Sequence, residues 1–380
     1  RRGHQQIPLR GTERKLNPSV LISNRKIERM DLIMKKKVFS LLLASALLIG
    51  CLAGCGDKNT PSGSKDPAPS GSGSSGQTVS LKLGHVGPPG STMDIVAQGI
   101  AEQVKEATNG SVEIIVYPQG QLGDETVMLD STLSGTLDMA MIGTPVMSTV
   151  FPEFNALCLP FLFRDTDEFF SIVQTDEFIE KTNAITSQKG AVLLGYPNGE
   201  QRGLSNVKHE VRTPADMAGL KIRVMNGSIY TDTFAALGAT TSTMPFGEVY
   251  TALQQGVIDG EDNGLDFMTK QKFSEVEKYH TNLGHAIQTN PFIVNSGVWD
   301  KLSADQQQAI KDAIKTQQDA YAVTLATELE KAVTNAEEAK VNLVMELTDE
   351  EYGAFRDACS GVYEKYQSNY VLGLVDAARK

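Results

Sequence analysis

The residues able to do chemistry in this 380-residue chain are few and poorly spaced for catalysis. Its five histidines (His4, His85, His209, His280, His285) lack metal-ligand spacing. No Walker P-loop, His-Glu-x-x-His, Gly-x-Ser-x-Gly or Cys-x-x-Cys motif occurs. Asp124-Glu125 and Glu261-Asp262 are adjacent carboxylates. An acid/base pair needs opposed positions across a substrate, so both pairs read as solvated turn or helix-start charges. Gly71–Gly76 matches Gly-x-Gly-x-x-Gly, but no strand precedes it and no helix follows, which removes the dinucleotide reading. Cys158 and Cys359 sit in apolar or mixed segments and read as buried thiols, a disulfide between them being the alternative. Nothing calls for an enzyme, a cofactor or a metal.

Charge narrows the partners. Residues 1–54 carry 11 Lys and Arg against 3 Asp and Glu, a net +8. The remaining 24 and 43 leave −19 on residues 55–380. A body that acidic excludes nucleic acid or an anionic bilayer as its binding surface. Any anion site must be a local cationic pocket, because the global field repels anions.

The elements that must position such a pocket follow from patterning. From Met34, three lysines precede the apolar run Val38–Ile49 and then small residues and cysteine. That is a signal peptide over 34–54, too short for a comfortable membrane span. Residues 1–33 are basic without apolar period and read as an upstream extension. A Gly/Ser/Pro-rich tether occupies 55–78. In the body, strands are expected at Val79–Leu83, Val112–Tyr117, Leu137–Ile142, Ala191–Leu194, Leu220–Val224 and Val257–Asp259, and helices at Thr92–Thr108, Glu125–Leu133 and Gly247–Gln255. The alternation indicates βαβ units and parallel sheet. Ser303 and Gln306 form a capping box opening a long helix whose face holds Ile310, Ile314, Tyr321, Leu325 and Leu329. Its length suits a strut between two α/β lobes, with ligand in the cleft at the carboxyl ends of the strands. The lobes are expected over 79–200 with 290–328 and over 201–289 with 329–375.

Co-linear segments carry a family resemblance. Gly219-Leu220-Lys221-Ile222-Arg223-Val224-Met225, Ala235–Ala239, Met244–Gly260, Tyr117-Pro118-x-Gly120-Gln121-Leu122-Gly123 and Leu159–Arg164 resemble the extracytoplasmic receptors of tripartite ATP-independent periplasmic (TRAP) transporters, C4-dicarboxylate-binding type. The likeness covers roughly Leu81 to Lys365. Leu52-Ala53-Gly54-Cys55 likewise resembles a bacterial lipobox, with Cys55 the lipidated residue and Cys51 a weaker second match.

The resemblance implies a two-lobed periplasmic-binding-protein-like fold that closes on one organic carboxylate and delivers it to integral-membrane transporter subunits. The protein would sit lipid-anchored outside the cytoplasmic membrane. Arg223 would pair with the carboxylate; a planar guanidinium matches one bidentately. Asn226 and Asn263 match polar contact positions, although Gly264 stands where the family has proline. Phe246 matches a pocket-lining aromatic. Arg202 matches a second arginine, with Gln201 the competing register. His85 with Val86, and Gly143 with Thr144, match contacts from the other lobe. His285 matches a recurrent histidine of structural character. The acid is a sugar acid, such as a hexuronate or aldonate, or a C4-dicarboxylate. The alternatives are a receptor for an ATP-driven importer and a secreted enzyme on this scaffold.

Overall fold

The computed structural model describes residues 78–366 and 370–379, so the leader, the lipobox cysteines Cys51 and Cys55, the tether and the Gly71–Gly76 run lie outside the described residues. Thirteen short strands run in chain order through the described residues: β1 (Val79–Gly84), β2 (Val112–Tyr117), β3 (Met139–Met141), β4 (Ala191–Gly195), β5 (Gly199–Gln201), β6 (Gly203–Asn206), β7 (Lys221–Val224), β8 (Thr240–Thr243), β9 (Gly260–Asn263), β10 (Tyr279–Thr281), β11 (Ile287–Thr289), β12 (Phe292–Asn295) and β13 (Asn342–Val344). They build a five-stranded sheet ordered β2-β1-β3-β12-β4 and a six-stranded sheet ordered β13-β10-β6-β9-β7-β8. A two-stranded antiparallel ladder, β5 with β11, lies where the chain passes from one sheet to the other and back.

Both sheets are mixed, which corrects the expectation of parallel sheet. β1 pairs in parallel with β2 and β3, and β7 with β8 and β9. β12 enters the first sheet antiparallel to both neighbours, and β6 enters the second in the same way. These are the strands that follow the crossings, and a crossing chain returns with its direction reversed.

Local chemistry explains the elements around the cleft. In β1, Leu81 and Leu83 are buried while Ser80 and Lys82 are exposed, the period-two pattern of a half-buried strand. The helix Thr92–Ala107 is capped by the Ser91 hydroxyl, which accepts from the Asp94 amide, and buries Val96, Ile100 and Val104 at four-residue spacing. The helix Glu125–Ser134 starts at Asp124, whose carboxylate accepts from the Thr126 and Val127 amides at 2.8 and 3.0 Å. It ends at Gly135, with φ 81°, a left-handed position suited to glycine. The Tyr117–Gly123 motif is a turn with positive φ at Gln119, Gly120 and Gly123. Its Gln119 and Gly120 amides donate to the Gly87 and His85 carbonyls, which fixes the loop after β1.

One strand is displaced from its expected place. Val257–Asp259 was expected; the strand is Gly260–Asn263, one step later, and Val257 is exposed. Hydrophobic pattern could not find β9, because its residues are Gly-Glu-Asp-Asn and all four are buried.

The helix Ala304–Glu338 opens with the Ser303–Gln306 capping box and is 35 residues long, about 50 Å at 1.5 Å per residue. Its first half packs on Thr92–Ala107 and its second on the helix Leu265–Lys270. Leu329 is exposed, not on the buried face. Glu328 takes the buried position in that turn, holding Lys270 and Lys331 at 3.0 and 2.7 Å. The final helix, Tyr370–Ala378, packs on Pro152–Cys158 and on Thr166–Val173. Its Val371 and Val375 join a core that contains Phe154 and Phe163. Cys158 and Cys359 are both buried free thiols.

Candidate functional site

Carboxyl ends of strands from both sheets converge on a cavity of about 240 Å³. From the first sheet come Val86, just after β1, the helix start Asp124-Glu125-Thr126 after β2, and Val146 after β3. From the second come Arg223 at the end of β7, Met225 and Asn226 beyond it, Thr243 at the end of β8 and Met244, Pro245 and Phe246 after it. A small recess deeper in is shared by Val86, Glu125, Arg223, Met225 and Phe246 and adds Asn263, Phe267 and Gln288. This is the crevice that parallel α/β topology opens for ligands.

Arg223 is buried because β7 lies between β9 and β8. Its Nε and Nη2 donate to the Met244 carbonyl at 3.1 and 2.8 Å, and the guanidinium carbon lies 5.9 Å from the Phe246 ring centroid. Phe246 is braced by Phe267 and Phe273, each 5.7 Å away by ring centroids. Among the described residues, no carboxylate comes within ion-pair distance of Arg223. Burial lowers its pKa, against the opposing pull of Glu261, Asp262 and Glu125. An arginine stays protonated regardless, so the cleft holds a positive charge with no counter-ion in contact.

Arg202 is the opposite case. It is equally buried, but its Nε donates to Asp262 Oδ2 at 2.7 Å and its Nη2 to Oδ1 at 3.0 Å, with a further bond to the Asp262 carbonyl. His285 adds Nε2 at 3.2 Å from the same carboxylate and stacks edge-on against Phe234. Burial alone would raise the Asp262 pKa; Arg202 and His285 outweigh it and hold the carboxyl well below the usual range.

Of the residues expected to contact ligand, Arg223, Asn226, Phe246 and Asn263 line the cavity or its recess. Asn226 Nδ2 also donates to Thr126 Oγ1 at 3.4 Å, across the two sides of the cleft. Three others do not line either space. Arg202 is committed to Asp262 and lines neither space. His85 is fully buried behind Val86, its Nε2 3.4 Å from Asp94. Thr144 is buried at the start of the helix Thr144–Val150 and accepts from the Cys158 thiol at 3.4 Å. Gln201, the competing register for Arg202, reaches instead toward the Arg164 carbonyl.

The acidic pairs are also corrected. Asp124 is the helix-start charge expected, but Glu125 is buried and accepts from the Gly143 amide at 2.7 Å. Burial raises its pKa. Glu261 and Asp262 are wholly buried, not solvated. Glu125, Gln288, Met225 and Phe267 are lining residues that sequence reasoning missed. Among them, the expected helix start fell on Glu125.

Gly264 explains its own departure from the family's proline. Its φ is −74°, within the proline range. A Cβ there would meet the Glu200 carboxylate at 2.1–2.4 Å, so the chain keeps glycine to seat Glu200. We expect Gly264→Ala to cost about 1–3 kcal/mol by overpacking. In a Glu200→Ala background the same change should be neutral or stabilising, since its φ suits alanine. Urea unfolding of the four proteins checks this; equal costs in both backgrounds would contradict it.

Glu200 also sets a pH dependence. Burial, with Asp266 and Glu261 nearby, pushes its pKa up to about 8, and Glu261 is pushed to about 7. A carboxyl raised in this way stabilises the fold below its unfolded value and loses that contribution as pH rises through the folded one. Buried His280 is depressed from 6.5 to about 4, so it acts only below 6.5 and in the opposite direction. The melting temperature should therefore fall between pH 6.5 and 8, and Glu200→Gln should flatten that fall. An equal slope in the variant would contradict this.

The two-lobed α/β architecture around a carboxylate-ready cleft is that of a periplasmic-type binding protein. Residues 83–369 match the family described as bacterial extracellular solute-binding protein, family 7, and the chain belongs to that family. It is 30% identical over 279 residues to the 2,3-diketo-L-gulonate-binding periplasmic protein of Escherichia coli, covering 73% of this chain and 84% of that one. A Sinorhizobium fredii protein of unassigned function is 33% identical over 299 residues, and the match spans 76% of this chain and about half, 53%, of its length. Among solved structures, the sugar acid binding protein of Advenella mimigardefordensis with galactonate superposes with a TM-score of 0.76 at 26% identity, covering 80% of this chain and 98% of that one. A TRAP periplasmic solute-binding protein of Sulfurospirillum deleyianum with succinate gives 0.73 at 29%, covering 80% and 99%. Among the described residues, no helix is long and apolar enough to cross a membrane.

Proposed function

We propose that this protein captures a small organic acid outside the cell and delivers it to the membrane subunits of a TRAP transporter. Arg223 grips the ligand carboxylate. One observation carries the reading: a buried, cavity-facing arginine with no carboxylate in contact, beside an equally buried arginine that is fully paired. A carboxylate ligand supplies the missing charge. Asn226, Asn263, Gln288 and Glu125 offer polar contacts around it, and Phe246 backs the guanidinium. Sugar acids and succinate are the ligands of the solved relatives, and their TRAP membership favours that partner over an ATP-driven importer. Lipid attachment at Cys55 would tether the receptor to the outer face of the membrane.

A thermal-shift screen against organic acids tests the proposal. A ligand at 100 times its Kd should add about 2.7 kcal/mol of stability. Silence across sugar acids and dicarboxylates alike would overturn it, and turnover of a bound acid would favour the enzyme reading.

A further inference from the structure

Arg223 on β7, Glu261 on β9, Ser205 on β6 and His280 on β10 stand in register on four adjacent strands of the second sheet. In-register neighbours share a sheet face, so these side chains form one polar row, and all four are buried. The Ser205 hydroxyl lies 2.9 Å from His280 Nδ1. Glu261 stands between that pair and the cleft arginine, and neither of its carboxyl oxygens has a hydrogen-bond partner. Glu277 is also buried with both oxygens unpartnered, close enough to Glu261 for the two charges to act on each other. Neither glutamate lines the Arg223 cavity or its recess, so ligand contact does not account for them.

A buried carboxylate without donors is costly, and two close ones do not both ionise. Burial raises Glu261 to about 7 against the pull of Arg223, and burial followed by the Glu261 charge raises Glu277. Asp262 and Arg202 act on Glu261 with opposing signs, but they are paired to each other. Glu200 feels the Glu261 charge as a repulsion, and Glu125 faces Arg223 from the first sheet. Burial depresses His280 to about 4, so it stays neutral at pH 7. In the empty cleft, Glu261 is the strongest negative charge acting on Arg223. A ligand carboxylate on Arg223 takes over that role. It cancels the arginine's pull on Glu261 and adds a negative charge nearby, and both effects favour the protonated carboxyl.

Resting on the reading of Arg223 as the carboxylate anchor, we propose that the Glu261–Glu277 pair takes up a proton when an organic acid binds, so that the receptor captures its anion together with H⁺. The proton comes from solvent, one carboxylate oxygen of the pair gains an O–H bond, and no group leaves. By reciprocity, the proton tightens acid binding by the factor that the acid tightens proton binding. Affinity is therefore full at low pH and is lost as pH rises from the pKa of the free pair to that of the occupied one.

Calorimetric titration with galactonate, D-glucuronate and succinate, in phosphate and in Tris, tests this, because the heats differ between buffers by the protons exchanged. The tightest of the three acids should bring about 0.3–1 proton per molecule bound at about pH 7.5, and its affinity should fall about three- to tenfold from about pH 6.5 to 8.5. Glu261→Gln mimics the protonated group. The variant should take up no proton, and it should bind at about pH 8.5 as tightly as the unmodified protein does at about pH 6.5. Uptake of the same size in the variant, or none in the unmodified protein, would overturn the proposal with the Arg223 anchor intact. On binding, the infrared difference spectrum of the unmodified protein should gain a protonated-carboxyl band and lose a carboxylate band. Absence of that exchange would overturn the proposal even if Glu261→Gln fails to fold. Failure of all three acids to bind the unmodified protein would overturn the anchor itself.

Discussion

Asp262→Ala should destabilise the protein by about 3–5 kcal/mol, the usual cost of stripping one partner from a buried ion pair. Arg202 and Asp262 have relative exposures of 1% and 0%, so neither charge can turn to water when the other is removed. Arg202 would lose both carboxylate contacts, and His285 would lose its acceptor. Arg202→Met should cost a similar amount for the mirror reason. The double variant Arg202→Met/Asp262→Leu should be more stable than either single variant, because a paired apolar replacement leaves no orphaned charge. Urea unfolding of the four proteins measures the coupling, and additive costs would contradict the pairing.

Arg223→Met should behave in the reverse manner. Its side chain has no carboxylate partner to strand, so stability without ligand should hold or rise. Binding of the acid should instead weaken by about 3–4 kcal/mol, some 10²–10³-fold, the cost of losing a buried charge-assisted pair. Arg223→Lys should recover little, because an ammonium cannot both hold the Met244 carbonyl with two N–H groups and present a flat edge to a carboxylate. Two buried arginines thus separate in one experiment: one loses stability on removal, the other loses only ligand.

The elements framing the cleft were legible because their signals are local. Alternation marked β1 and β7, the Ser303–Gln306 capping box marked the start of the long helix, and the anchor strand put Arg223 at a sheet's carboxyl edge. The strands at the crossings were not legible. β5, β6 and β11 are three or four residues long and carry no period that distinguishes them from loop. β9 was hidden for a different reason: it is a buried acidic strand whose Asp262 is paired with Arg202, sixty residues earlier. That distance also explains why Glu261-Asp262 looked solvated and why Arg202 looked free for ligand. The family resemblance places His85 and Thr144, in the segments that follow β1 and β3, at the ligand. Each loop does reach the cleft, but it presents Val86 and Val146 there and buries the polar neighbour.

The most direct test of the central claim is a calorimetric comparison of one sugar acid with its amide. The acid giving the largest thermal shift is titrated beside the carboxamide that keeps the same hydroxylated chain. The acid should bind, and the amide should bind at least about a hundredfold more weakly, since only the carboxylate neutralises Arg223. Comparable affinities for the two would show that Arg223 is not the anchor.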